Sequence, residues 1–301
     1  MEGIRVWHSL RAVATRICLY SAVVVLLLVA SVNAQAQGSL SVVPGLPGKN
    51  VNIIGPSPKP GYIPDFALRQ QNEPTCSIRP ENPAFILCAF NDYRAIDLPM
   101  LAGDSWVGMA WSGDFGLTWY SRLASGYRGD DPALALGLDF AADANVVHAP
   151  GNSPGIAFLN YIAANRDLNN GVLALQRLAV MPQEDVEYYV PEKKIFIIDE
   201  TNSGRFADRP TMIAVADSAN QQTNQSYTMT LEDGREVTRN VPSGTLIFGY
   251  AIFTGSNGSK IYITRCTNWG ETCEQPIKIS EEQQRVQGVS LTNIGDNIVA
   301  A

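Results

Sequence analysis

The sequence predicts an all-β fold built from repeated four-stranded units. Three observations carry this: short β-branched and aromatic runs cut by turn residues, a strand opening that recurs, and one hairpin motif written twice. The runs are Phe85 to Phe90, Ser105 to Trp111, Gly155 to Ile162, Gly171 to Leu178, Lys194 to Ile198, Thr211 to Ala216, Thr245 to Thr254 and Lys260 to Arg265. No long stretch sustains a helical period. Texture alone leaves sandwich, barrel and propeller open, and the repeat decides among them. Glu73-Pro74-Thr75, Asp131-Pro132-Ala133 and Arg209-Pro210-Thr211 each open an apolar strand, where Pro is tolerated as the first residue. Recurring four-stranded units of this length are the pattern of propeller blades.

The N-terminal residues 1–36 carry Arg5, Arg11 and Arg16, an apolar run from Ile17 to Val32, and the small-residue site Ala34-Gln35-Ala36. This is the pattern of a secretory signal peptide. The alternative, an uncleaved N-terminal anchor, is the only route to a membrane that the sequence offers. Residues 37–71 are a Pro- and Gly-rich extended lead-in without a sustained period. The repeats fill 72–301, with units starting near residues 72, 130, 208 and 286. The third is lengthened by a polar insertion, Asp217 to Pro242, in which Tyr227 to Leu231 and Arg235 to Val241 flank a Glu232-Asp233-Gly234 turn. The fourth stops almost at once. Propellers close with about four to eight blades, so the expected fold is an incomplete propeller, an N-terminal fragment of about three to four blades. The competing possibility is that Tyr188 to Ile198 belongs to a further blade and the ring closes small.

The doubled motif is Ser112-Gly113-Asp114-Phe115-Gly116-Leu117-Thr118-Trp119, which fits S-x-D-x-G-x-T-W, and its degenerate copy Cys266-Thr267-Asn268-Trp269-Gly270-Glu271-Thr272-Cys273. The first copy resembles the Asp-box of the bacterial neuraminidase (sialidase) repeat family, a hairpin at the outer rim of β-propeller blades. Its Asp accepts hydrogen bonds from turn amides, its Gly supplies positive φ, and its Trp is large enough to wedge between blades. In the second copy Cys266 and Cys273 replace the flanking Ser and Trp. They face each other across a tight hairpin, so a disulfide can take over from the Trp packing, although two unrelated thiols remain the plainer alternative. Cys76 and Cys88 form the other local pair expected in an oxidising compartment.

The formal net charge is −7, and loss of the leader makes the chain more acidic still, which argues against a nucleic-acid partner. His148 is the only histidine after the leader and no C-x-x-C occurs beyond it, so a Cys/His zinc site is not expected. His148 has no evident nucleophile partner in the sequence and reads as a turn or surface residue. Trp106, Trp111 and Trp119 read as packing between blades, and Trp269, at a hairpin turn, as the more exposed indole. Asn224-Gln225-Ser226 and Asn257-Gly258-Ser259 match the N-glycosylation pattern, which short polar loops also produce by chance.

The resemblance spans roughly residues 72 to 301 and implies a glycan-directed protein, at its fullest an exo-α-sialidase-type glycoside hydrolase. In that chemistry a Tyr attacks the anomeric carbon, an Asp protonates the leaving group and arginines hold the sugar carboxylate. On the family pattern, Arg94 in Ile86-Leu87-Cys88-Ala89-Phe90-Asn91-Asp92-Tyr93-Arg94 matches an active-site arginine, and Asp97 or Asp104 the acid/base. The early Arg-Ile-Pro motif is missing: Asn72-Glu73-Pro74 stands in its place, and none of these side chains supplies a guanidinium fork. Neither Tyr250 nor Tyr262 can be assigned as nucleophile. The alternative is a non-catalytic extracellular propeller that binds carbohydrate or protein. Independently of the family, a propeller brings its strand openings to one mouth, so Glu73, Asp130, Asp131, Asp208 and Arg209 are expected to converge there. With its arginines such a cluster suits a sugar acid or a sialylated glycoconjugate; dominated by carboxylates it suits Ca²⁺, and no other cofactor is expected. The plainer alternative is that these charges cap strands and pair between blades.

Overall fold

The computed structural model describes residues 52–54, 69–97, 104–150, 155–183, 186–202, 204–217, 224–255, 258–281, 285–294 and 297–301, all within the unit Asn52–Ala301. The expected signal peptide and most of the lead-in lie outside the described residues. The described part is all-β, with two short 3-10 turns and no α-helix.

Strands β1 (Gln71–Ile78), β2 (Ile86–Asp92), β3 (Trp106–Ser112) and β4 (Tyr120–Leu123) form one antiparallel meander in chain order. A second contains β5 (Phe140–His148), β6 (Ile156–Ala164), β7 (Asn170–Gln183) and β8 (Val186–Asn202), so Tyr188 to Ile198 belongs to its last strand and not to a further unit. The third is built on β9 (Phe206–Ala216), β12 (Gly244–Thr254), β13 (Gly258–Thr267) and β14 (Thr272–Cys273), with β15 (Ile277–Lys278) also on β13. Between β9 and β12 the insertion forms its own hairpin, β10 (Asn224–Thr230) with β11 (Glu236–Pro242). A last hairpin pairs β16 (Leu291–Ile294) with β17 (Asn297–Ala300). None of the sheets closes on itself. The near-continuous apolar runs of β3 and β6 are buried along their whole length, as a strand covered on both faces requires.

The first and third sheets begin where their Pro-marked openings place them. The second begins at Phe140, ten residues beyond the expected start near 130. Asp131-Pro132-Ala133 opens no strand: the Asp131 carbonyl accepts from the amides of Leu134 (2.8 Å) and Ala135 (3.0 Å), and its carboxylate accepts from Ala133 N–H (2.9 Å). Asp-Pro here makes an ordinary turn.

Successive sheets pack face to face. Between the first and second, Trp106 meets Tyr161 and Trp111 meets Tyr189, each edge to face with 6.3 Å between ring centroids. The core between second and third contains Phe158, Leu175, Phe248, Tyr250 and Trp269. Trp269 is fully buried, against the expectation of an exposed indole. It stacks on Phe158 at 5.4 Å and donates its Nε1–H to Pro242 O (2.9 Å), while Gly244 leaves the space its ring occupies. Trp119 does the reverse. Its indole lies over Gly116 of its own hairpin and donates to that residue's carbonyl (2.9 Å), so it seals the turn and does not wedge between sheets.

Both hairpin motifs take the expected form. Asp114 accepts from Thr118 N–H (2.8 Å), Thr118 Oγ1 (2.6 Å) and Ser112 Oγ (2.8 Å), and Phe115 and Gly116 take positive φ. Cys266 pairs with Cys273 across β13 and β14, and Cys76 with Cys88 across β1 and β2, both as disulfides with Cα atoms 4.0 Å and 4.1 Å apart. The β10–β11 hairpin cannot bury a core of its own and straps its neighbours together. Its turn residue Glu232 forms a bidentate pair with Arg122 of β4, and Arg239 donates to Val180 O of β7 (2.8 Å).

Candidate functional site

The first strand of every full sheet carries the same defect. Between Asn72 and Thr75, between Ala142 and Asn145, and between Asp208 and Thr211, one residue too many faces the neighbouring strand. In each bulge the residue that turns is in the left-handed region without being glycine: Glu73 (φ 53°), Asp143 (φ 55°) and Arg209 (φ 45°). A bulge re-aims side chains, and this backbone costs an L-residue about 1–2 kcal/mol, so three repetitions mark a constructed feature. Before β16, Gly288 also takes positive φ (77°) and leads into Val289-Ser290, without a strand bulge.

The three bulges line one cavity of about 420 Å³, Glu73-Pro74-Thr75, Asp143-Ala144-Asn145 and Arg209-Pro210-Thr211, together with Gly288-Val289-Ser290 and Ala301. Side chains of one sheet brace the next. Thr75 Oγ1 donates to Ala144 O (3.2 Å), Asp143 N–H to Asn91 Oδ1 (2.8 Å), Arg209 N–H to Asp143 Oδ2 (3.0 Å) and Met212 N–H to Asn145 Oδ1 (3.1 Å). Asn91 also donates to Glu73 Oε2 (3.2 Å), and the Arg209 guanidinium lies 3.7 Å from the Glu73 carboxylate.

Asp143 is the electrostatic centre. Burial raises its pKa to about 7, helped by the Glu73 carboxylate to which it hydrogen-bonds and by the charge of Asp208, and opposed by Arg209 N–H. Near neutral pH the three carboxyls are therefore only partly ionised, with a proton shared around Asp143. Asp208 itself accepts from Gln287 Nε2 (2.5 Å) beside the cavity.

Of the expected mouth residues, Glu73, Asp208 and Arg209 come together and Asp130 and Asp131 do not. Asp130 accepts from Gly126 N–H (2.7 Å) in the loop after β4, and Asp131 pairs with Lys193 of β8 (2.6 Å). Their turn chemistry made them resemble a strand opening, whereas Asp143-Ala144-Asn145, the actual second copy, has no Pro to announce it. Arg94 is buried, with its Nε 2.6 Å from the Asp92 carboxylate and its Nη1 on Ser121 Oγ (3.2 Å), so it braces the interior of the first sheet. Asp97 ends a 3-10 turn, Arg94–Asp97, and its side chain lies outside the described ones. Asp104 pairs with Arg166. Tyr250 is buried and donates to Asp199 Oδ2 (2.8 Å), its pKa raised by that burial.

His148 lies in β5 and is buried, not at a turn or surface. Its Nδ1 is 2.9 Å from Ser77 Oγ and its Nε2 2.7 Å from Tyr189 Oη, and burial, aided by Arg79, lowers its pKa to about 4. Because Ser77 Oγ also accepts His148 N–H (3.2 Å), the three form a satisfied interior bridge between the first two sheets.

Among the described residues, no group of three or more His, Cys, Asp or Glu is arranged to hold a metal ion. No described helix is long and apolar enough to cross a membrane. No protein-family model matches the chain, and no curated protein is significantly similar to it.

Proposed function

We propose that the chain is a secreted, glycan-binding, sialidase-like β-propeller protein, with the mouth formed at the three bulges as its ligand site and without sialidase activity. The observation that carries the proposal is the convergence of Glu73, Asp143 and Arg209, each on a left-handed bulge, onto one open cavity. The Asp-box, two four-stranded meanders and a following five-stranded sheet, with adjoining first strands, support the propeller reading. Two disulfides and the leader support an oxidising compartment.

The chemistry of the mouth favours a neutral polyol over a sialic acid. Glu73 and Asp143 present acceptors to sugar hydroxyls, with Asp208 at the edge, and Arg209 presents donors. Carboxylates outnumber the guanidinium there, so a sugar carboxylate meets repulsion, and Arg94 is turned inward on Asp92. Asp143 favours a second reading as a glycoside hydrolase, because a carboxyl whose pKa is raised to about 7 beside the open mouth suits a general acid. A panel of neutral and sialylated oligosaccharides, titrated against the purified chain at pH 6–8, tests the proposal. Binding of neutral members that Glu73→Gln or Arg209→Ala weakens at least tenfold is the expected outcome. No binding, or turnover of a fluorogenic glycoside abolished by Asp143→Asn, would displace binding as the function.

A further inference from the structure

A second cavity, of about 430 Å³, opens beside the mouth and contains Asp208 and Gln287, the bonded pair at the mouth's edge. Phe206 and Phe253, direct cross-strand partners on β9 and β12, line it side by side. Leu168, exposed in the β6–β7 turn with φ 55°, also lines it. Gly204 and Gly255 both take positive φ, with nothing packed where a side chain would stand, and a bond from Gly255 N–H to Gly204 O (3.2 Å) ties the two loops together.

We propose that this cavity is a saccharide subsite adjoining the mouth, so that the protein binds oligosaccharides of two or more neutral units in preference to single sugars. The inference rests on the glycan reading of the mouth. A pyranose ring presents C–H groups on its faces and hydroxyls at its edge. Two phenyl rings and a leucine side chain suit the face, and the carboxylate of Asp208 and the amides of Asn202 and Gln287 suit the edge. Arg205 belongs to the wall and is not free to move into the ligand, since it pairs with Asp199 (2.7 Å) and donates to Glu200 O (2.7 Å). Asp208 and Gln287 put the two cavities side by side, so a sugar in the mouth can extend its next unit over the phenyl rings.

The test compares affinities for mono-, di- and trisaccharides of glucose, galactose and N-acetylglucosamine, measured by calorimetry on the full chain and on two variants. Phe253→Ala removes one aromatic ring. Leu168→Asp alters an exposed turn residue whose left-handed backbone tolerates Asp, and it keeps the test sound if the first variant folds poorly. The expected result is at least tenfold tighter binding of the best disaccharide than of its monosaccharide, with both variants erasing that gain and leaving monosaccharide binding unchanged. Monosaccharide binding with no gain on lengthening, or a gain indifferent to both variants, overturns the subsite and leaves the mouth standing. Binding of no member overturns both.

Discussion

Burial disfavours the charged forms of both Asp143 and His148, and their effects on stability run in opposite directions over one pH window. The pKa of Asp143 rises from 3.8 to about 7, so above pH 4 the unfolded chain loses a proton that the folded chain keeps. Stability therefore falls as pH climbs from about 4 to about 7 and levels off beyond. The pKa of His148 falls from 6.5 to about 4, so below pH 6.5 the unfolded chain gains a proton that the folded chain refuses, and stability falls as pH descends through the same window. The wild-type profile between pH 4 and 7 is accordingly shallow. Asp143→Asn keeps an oxygen for Arg209 N–H and gains an amide for Glu73. It is expected to raise stability at pH 7.5 by about 1–2 kcal/mol, discounted for solvent in the open cavity, and to uncover the histidine slope. His148→Gln is expected to uncover the reverse slope at some cost in overall stability. Thermal melts of the three proteins at half-unit pH steps check this, and parallel profiles would refute the assignment of both groups.

The two copies of the hairpin motif solve one closure problem with different chemistry, and their variants should differ accordingly. In the first, the carboxylate of Asp114 organises the turn and its pKa is lowered by the Thr118 and Ser112 bonds, which outweigh partial burial. Asp114→Ala is expected to cost about 1–3 kcal/mol in urea titrations, a loss absent once pH falls below the lowered pKa of the wild-type carboxyl. In the second, the covalent link closes a short loop, and Cys266→Ser with Cys273→Ser is expected to cost about 2–3 kcal/mol in the same titrations, with reductant costing the wild type more because it also opens Cys76–Cys88. The tryptophans exchange roles between copies. Trp269→Ala should cost about 3–5 kcal/mol, because the fully buried ring fills space between the second and third sheets. Trp119→Ala should cost clearly less, since that indole is only partly buried on its own turn. The motif spacing disclosed the turns and the disulfide, but the side on which each indole packs depends on which neighbouring sheet leaves room. Here Gly244 provides that room, and sequence spacing cannot report it.

For the whole molecule, strand texture and the boxes were enough to anticipate an all-β chain of successive antiparallel units, because each unit carries its own local turn chemistry. The site was half legible: Pro74 and Pro210 pointed to Glu73 and Arg209, while Asp143 was hidden because its bulge is stabilised across sheets, by Asn91 and Arg209, and not by a local residue. The same cross-sheet logic bears on activity. Sialoside cleavage requires cations around the sugar carboxylate and a nucleophile at the anomeric carbon. Around this mouth Arg209 stands among carboxylates, Arg94 is committed to Asp92, and Tyr250 is buried on Asp199. One missing charge-assisted partner alone is worth about 1.5–3 kcal/mol, or roughly one to two orders of magnitude in rate. The purified chain from residue 37 to 301 is therefore expected to give no measurable release from a fluorogenic sialoside between pH 4 and 8. Robust turnover abolished by Arg209→Ala or Glu73→Gln would show that the carboxylate-rich mouth works as an enzyme after all, with Asp143 as the proton donor to examine first.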